Sequence, residues 1–127
     1  MPDNAAYTEW FRKAEEDEFS ARAVLREGAP STGCFLAQQM AEKYLKGLLI
    51  FHGKDFPKVH DLLEIETLLT DVEAKIKNVH DDVVVLNRYY IETRYPGDYE
   101  EFTRQECGDA YEAALRIKEF VLKKCAL

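Results

Sequence analysis

Several polar side chains occupy helical positions whose neighbours on the same face are apolar, and such positions are candidates for ligand binding. They are Asp17, Gln38, Glu42, Asn87 and Arg94. Asn87 and Arg94 are seven residues apart, close to two helical turns, so on a continuous helix they point in similar directions. The spacing therefore predicts that these two side chains share one pocket.

The chemistry that this pocket would support is recognition of an anion. Arg88 lies at the flank of the pair, and a guanidinium group can hold a phosphate through two hydrogen bonds. Tyr95 directly follows Arg94 and could stack on a nucleic-acid base. Lys43, Lys46 and His60 are secondary candidates for contact with the same ligand.

A purely structural role is an equal alternative for the main candidates. An unpaired buried carboxylate is costly, and Asp17 could neutralise Arg94 inside a helical bundle. The simpler interpretation of Lys43, Lys46 and Lys58 is that they are solvated surface charges, and that of His60 is a residue packing at the entry of a helix.

Other kinds of chemistry are not indicated. The sequence has no Gly-rich phosphate loop, no His-Glu-x-x-His segment and no Gly-x-Ser-x-Gly turn. The three histidines do not have metal-ligand spacing on one helix face, and the three cysteines show no short-range pairing. We therefore expect no metal, no cofactor and free thiols. The net charge of −7 opposes long-range attraction to phosphate backbones, so an anion site must be local.

The apolar spacing predicts five helices and no strand, at about residues 5–27, 31–52, 61–70, 74–94 and 103–124. The second helix is apolar on more than one side and should be central. Asp61 and Glu64 fit a capping box at the start of the third helix. The far face of the second helix is a candidate dimer contact, formed by Leu36, Gln39, Lys43 and Ile50. We expect one all-α domain over residues 1–127.

The cellular location of the protein is predicted from two features that the sequence lacks. No stretch approaches the ~20 apolar residues that a membrane span requires. The first residues lack the basic and then apolar pattern of a secretion signal. We therefore expect a cytoplasmic protein.

Four segments in order resemble the higher-eukaryote and prokaryote nucleotide-binding (HEPN) domain family. The strongest is CFLAQQMAEKYLK at residues 34–46, and the others are the stretch from Trp10 to Asp17, FPKVHDL at 56–62, and Tyr90 with RYP at 94–96. The resemblance implies a five-helix up-and-down bundle that commonly forms a homodimer. It also implies a minimal nucleotidyltransferase partner in a toxin–antitoxin-like pair.

Several members of this family resemble one another in an Arg followed after four to six residues by His, which implies RNA cleavage without metal. In this sequence Arg88 is followed by residues 89–94 without a His. A guanidinium group stays protonated and cannot relay a proton at neutral pH. We therefore expect no ribonuclease activity.

The leading interpretation is a non-catalytic HEPN module that binds a nucleotide or another phosphate-bearing ligand, with RNA less favoured. One alternative is a degenerate ribonuclease that uses Arg88, Arg94 and His60. Another is a helical interaction scaffold in which the polar residues brace the bundle.

Overall fold

The structure, a computed structural model, describes residues 4–56, 58–90 and 101–125. Within these ranges the chain forms five α-helices, one 3₁₀-helix and no strand. They are α1 (Asn4–Glu27), α2 (Pro30–Phe51), α3 (Leu62–Leu69), the 3₁₀-helix (Ala74–Val79), α4 (His80–Asn87) and α5 (Arg104–Lys124). The predicted all-α fold is confirmed, and four of the helices have nearly the predicted limits.

Helix α2 lies at the centre of the bundle, with α1 and α5 packed against it. Small residues allow this close packing. A Cβ atom on Gly47 would come within 2.5 Å of the Phe11 ring of α1, and one on Gly33 within 2.3 Å of the Cys107 sulfur of α5. Most of α2 is buried, as expected for a helix covered on several sides.

The segment from α3 to α4 covers another side of the core. Its buried apolar residues are Leu62, Ile65, Leu69, Ile76, Val79, Val83 and Leu86. Asp61 caps α3, because its side chain accepts hydrogen bonds from the backbone amides of Leu63 and Glu64. The reciprocal bond of the predicted capping box, in which the Asp61 backbone amide would donate to the Glu64 carboxylate, is not formed among the described residues. Thr103 and Glu106 form a complete capping box at the start of α5.

The predicted fourth helix is wrong in its extent. Residues 74–79 form the 3₁₀-helix, α4 ends at Asn87, and residues 88–90 are not helical. The Asn87 side chain accepts a hydrogen bond from the Leu62 amide at 2.7 Å, and the Tyr89 amide bonds back to the Leu86 carbonyl in a tighter turn. The argument that placed Asn87 and Arg94 on one continuous helix therefore does not hold. Arg94 and Tyr95 lie outside the described residues.

In the described part of the chain, none of the helices combines the length and the apolar character that crossing a membrane requires.

Candidate functional site

A buried carboxylate on α2 is the centre of a polar cluster. Glu42 is 4% exposed, and Lys46, one turn further on, donates to it at 2.9 Å. His60 places Nδ1 3.0 Å from both carboxylate oxygens, and the Gln38 amide donates at 3.2 Å. A carboxylate accepts and does not donate, so the His60 Nδ1 carries the proton. Glu42 therefore fixes the orientation of the imidazole.

Lys46 is buried, which corrects the prediction that it is a solvated surface charge. Its side chain is 5% exposed, and its ammonium group lies 5.8 Å from the Trp10 ring centre and 5.2 Å from that of Phe56. The rings give a cation–π contribution where water is excluded. Lys46 thus balances the charge of Glu42.

The His60 ring is also held by an aromatic neighbour. It stacks on Tyr90 with ring centres 4.2 Å apart and planes inclined by 14°, and Phe35 lies 6.0 Å from Tyr90 on the α2 side. The Gln38 amide donates to the His60 carbonyl at 3.2 Å, which fixes the backbone of the loop. The His60 side chain is nevertheless 44% exposed. The result is a planar shelf, the His60–Tyr90 shelf, with its imidazole accessible to solvent.

A cleft of about 460 Å³ lies at this shelf. It is lined by Lys58, Val59, His60, Asp61, Glu64, Asn87 and Tyr90. The volume is in the range of small-molecule sites. Two of the sequence-predicted residues, His60 and Asn87, are therefore brought together, and Gln38 lies beside them in the Glu42 cluster.

Asp17 is placed elsewhere. It forms an ion pair with Lys43, so α1 and α2 are joined by this bridge, and both side chains are partly buried. Neither residue is among the described residues that line the cleft. The pairing also shows that Lys43 is not simply a solvated charge, as its sequence context suggested.

Arg88 is also separate from the described lining of the cleft. Its guanidinium lies 3.7 Å from the Glu106 carboxylate and over the rings of Tyr89 and Phe102, at 5.2 and 5.4 Å. The Thr103 backbone amide, more than Arg88, lowers the pKa of Glu106. Arg88 thus contacts the start of α5.

Comparison with known proteins places this bundle in a family. The sequence matches the HEPN domain over residues 7–125. The chain belongs to the HEPN domain family. It is similar to the crystal structure of ST0689, an archaeal HEPN homologue, at 31% identity and a TM-score of 0.73, covering 93% of this chain and 96% of that one. It is also similar to the crystal structure of TT1696 from Thermus thermophilus, at 31% identity and a TM-score of 0.78, covering 93% and 97%. No curated protein matches the chain.

Sequence reasoning identified Glu42 only as a polar residue on an apolar helix face, and it did not predict that Glu42 is the centre of the cluster in this HEPN domain. Gln38, Glu42 and Lys46 are spaced by four residues, which places them on one face of α2, and His60 directly precedes the α3 cap. This spacing was a usable signal for Glu42 and Lys46. The contact between His60 and Glu42, 18 residues apart, left no local signal.

A second buried carboxylate, Glu18, lies between α1 and α5. It is 7% exposed and accepts from Arg22 at 2.9 Å and from Lys118 at 2.7 Å, while Arg22 also donates to the Tyr111 hydroxyl at 3.1 Å. A smaller recess of about 220 Å³ lies beside it. Its lining residues are Glu15, Glu18, Phe19, Arg22 and Lys118.

Metal binding has no visible basis in the HEPN domain as described. Residues 4–56, 58–90 and 101–125 contain no group of three or more His, Cys, Asp or Glu side chains that could hold a metal ion.

Proposed function

We propose that this HEPN domain is a non-catalytic cytoplasmic module that binds a nucleotide, or another phosphate-bearing ligand, in the cleft at the His60–Tyr90 shelf. The observation that carries the proposal is the fixed and exposed imidazole of His60, stacked on Tyr90 and bonded to buried Glu42. An aromatic surface of this kind can stack on a base. Lys58 lines the same cleft and supplies an ammonium group for a phosphate.

Preorganisation supports binding at this cleft. Lys46 and Gln38 hold Glu42, and Glu42 holds His60, so the shelf is already ordered before a ligand arrives. Ordering side chains at the moment of binding would cost roughly 0.5–1.5 kcal/mol for each flexible residue. A shelf built on a buried ion pair avoids most of that cost.

We also propose that the module acts as a homodimer with a minimal nucleotidyltransferase, as a toxin–antitoxin-like pair. The four residues of the far face of α2 are partly exposed: Leu36, Gln39, Lys43 and Ile50. Gln39 donates to Gln38 and Lys43 pairs with Asp17, so Leu36 and Ile50 are the apolar surface left for a second copy. Sedimentation of a Leu36→Glu variant tests the dimer, and co-purification with a neighbouring nucleotidyltransferase tests the pair.

Nucleotide binding is tested by thermal shift and calorimetry with ATP, GTP and their diphosphates. His80 is a matched control for His60, since its Nδ1 also lies beside a glutamate, at 2.9 Å from Glu66, away from the cleft. A tenfold excess of ligand over Kd should raise Tm by roughly 4 °C in the wild type and in His80→Ala. His60→Ala should lose the shift. A wild type without a shift at millimolar ligand would remove the nucleotide proposal.

A degenerate ribonuclease is the second candidate, and one observation favours it. A buried carboxylate orients His60 through Nδ1–H, which leaves Nε2 able to accept a proton, as in a general base. Against it, Arg88 contacts Glu106, away from the described lining of the cleft. Labelled RNA incubated with wild type, His60→Ala, His80→Ala and Arg94→Ala decides between the two. Cleavage that His60→Ala abolishes and His80→Ala retains would replace the binding-only proposal.

A further inference from the structure

The hydrogen bond between His60 and Glu42 decides what the exposed edge of the imidazole can do. Nδ1 lies 3.0 Å from both carboxylate oxygens and carries the proton, so in the neutral ring Nε2 has a lone pair and no proton. Among the described residues no group bonds to Nε2, and the His60 side chain is 44% exposed. A neutral His60 therefore offers a ligand a hydrogen-bond acceptor at Nε2.

The net charge around the cleft depends on the protonation of this ring. Among the described lining residues, one is a cation, Lys58, and two are anions, Asp61 and Glu64. With a neutral imidazole the lining therefore has one more negative than positive charge. The polar groups that face the ring from α2 and from the residues after α4 add no net charge, and they are the Glu42–Lys46 ion pair, Gln38 and Tyr90. A phosphate-bearing ligand would be repelled unless the ring becomes an imidazolium.

We propose that a phosphate-bearing ligand binds at this cleft together with one proton, which is taken from solvent and carried by His60 at Nε2. This inference rests on the proposed function. A phosphate oxygen is an acceptor and gains nothing from the Nε2 lone pair, whereas the Nε2–H of an imidazolium donates a charge-assisted hydrogen bond. Glu42 accepts from Nδ1 in both protonation states, so the ring keeps its orientation when the proton is added.

The direction of the pH dependence follows from the number of bound protons. The complex holds one proton more than the free protein and the free ligand, so rising pH favours dissociation. Histidine is the side chain whose charge ordinarily changes between about pH 5 and 8. At any pH where the free ring is neutral, the affinity should fall about tenfold for each further pH unit.

Calorimetry with cyclic AMP on the full chain tests the inference. The phosphodiester of this probe keeps one negative charge between pH 6 and pH 8.5, so a proton taken up on binding belongs to the protein. We expect the affinity to fall by roughly tenfold or more from pH 6 to pH 8.5. At pH 8 the binding heats in two buffers of different ionisation enthalpy, neither of them phosphate, should report uptake of about one proton. Adenosine, which lacks the phosphate, should bind equally at both pH values.

Two histidine variants and one spectrum assign the proton. His60→Gln has an amide that cannot change charge, and its affinity for cyclic AMP should be the same at pH 6 and pH 8.5. His80 is the matched control, because its Nδ1 lies 2.9 Å from Glu66 and its side chain is 51% exposed, but it is not among the described lining residues of the cleft. His80→Gln should retain the pH dependence of the wild type. If His60→Gln does not bind, the His60 ring protons of the wild type at pH 8 should shift to the imidazolium position on addition of cyclic AMP.

Other outcomes overturn the inference in distinct ways. An affinity for cyclic AMP that is independent of pH, or binding of adenosine alone, would refute proton-linked phosphate binding and leave binding at the shelf intact. A pH dependence that persists in His60→Gln, or a His60 ring that stays neutral in the complex, would assign the proton to another group. Binding of neither probe between pH 6 and pH 8.5 would remove the inference together with the proposed function.

Discussion

Two buried glutamates of this HEPN domain each hold two basic partners, yet their surroundings differ. Glu42 binds Lys46, which is 5% exposed, and His60, which opens onto the cleft of about 460 Å³. Glu18 binds Arg22 and Lys118, whose side chains are 53% and 27% exposed. In the first cluster, the Glu42–Lys46 ion pair is buried, and the His60 side chain is exposed at the cleft. The second has both cations near water.

The difference indicates that the Glu18 cluster has a structural role, whereas the Glu42 cluster holds His60 at a cleft. Solvent can compensate Arg22 and Lys118 if Glu18 is lost, so the α1–α5 cluster behaves as a surface bridge. Lys46 is almost fully buried, and its ammonium group lies near the Trp10 and Phe56 rings. The Glu42 cluster thus ties the stability of α2 to the orientation of His60, which makes it the better candidate for a functional site.

The largest expected effect distinguishes the two glutamates by stability. Glu42→Ala leaves a buried ammonium group without its partner and should lower the free energy of unfolding by about 3–5 kcal/mol. Glu18→Ala should cost about 1 kcal/mol, because its partners can be hydrated. Urea denaturation of both variants measures the difference. Equal losses would show that the Lys46 environment is not as enclosed as the contacts indicate.

A double variant separates stability from binding within the Glu42 cluster. Glu42→Leu with Lys46→Met replaces the buried pair by apolar side chains, and such replacements are often neutral. We expect stability within about 1 kcal/mol of wild type. His60 would lose its carboxylate, so nucleotide affinity should still fall. Retained affinity in the double variant would contradict the positioning role of Glu42.

An alkaline titration tests the apolar core, which contains the buried thiols of Cys34 and Cys125. Burial raises the pKa of Cys34 from 9.0 to about 12 and that of Cys125 to about 11. The pKa of Tyr44 is raised by burial and by the carboxylates of Glu18 and Glu15. Between the unfolded and folded pKa values the folded state binds more protons, so stability falls as pH rises.

The expected loss is about 1.4 kcal/mol per pH unit for each buried thiol above pH 9. Urea midpoints at pH 8, 9 and 10 measure this slope. A Cys34→Ala, Cys125→Ala variant should show a flatter slope. An unchanged slope would mean that these thiols do not contribute to it.

The smallest effect concerns His80, the counterpart of His60 away from the cleft. The hydrogen bond to Glu66 raises the pKa of His80 above 6.5. A raised histidine pKa gives stability that is present below the unfolded value and is lost as pH rises through the folded value. His80→Gln should therefore differ from wild type in Tm more at pH 6 than at pH 8.5. A proton NMR titration that gives an ordinary pKa for His80 would contradict the pairing.

Much of the fold could be predicted from the sequence, because the contacts that define a helix join residues that are close in the sequence. Apolar spacing gave α1, α2, α3 and α5, and the Asp61 cap needed only the residues that follow it. The end of α4 could not be predicted from the sequence. At this end Asn87 accepts a hydrogen bond from the Leu62 amide, and the two residues are 25 positions apart. The apolar spacing continues past Asn87 and therefore predicted a longer helix. The chain instead turns there, where a tertiary hydrogen bond is formed.

The candidate site shows the same division. Residue types by themselves indicated His60, Gln38 and Asn87 as polar groups with a possible role, and the family segments placed them in a HEPN bundle. The tertiary structure alone decided that Lys46 is enclosed by Trp10 and Phe56 and that Glu42 orients His60. Spacing along one helix reports which side chains share a face. Burial and charge pairing depend on which other segments fold against that face.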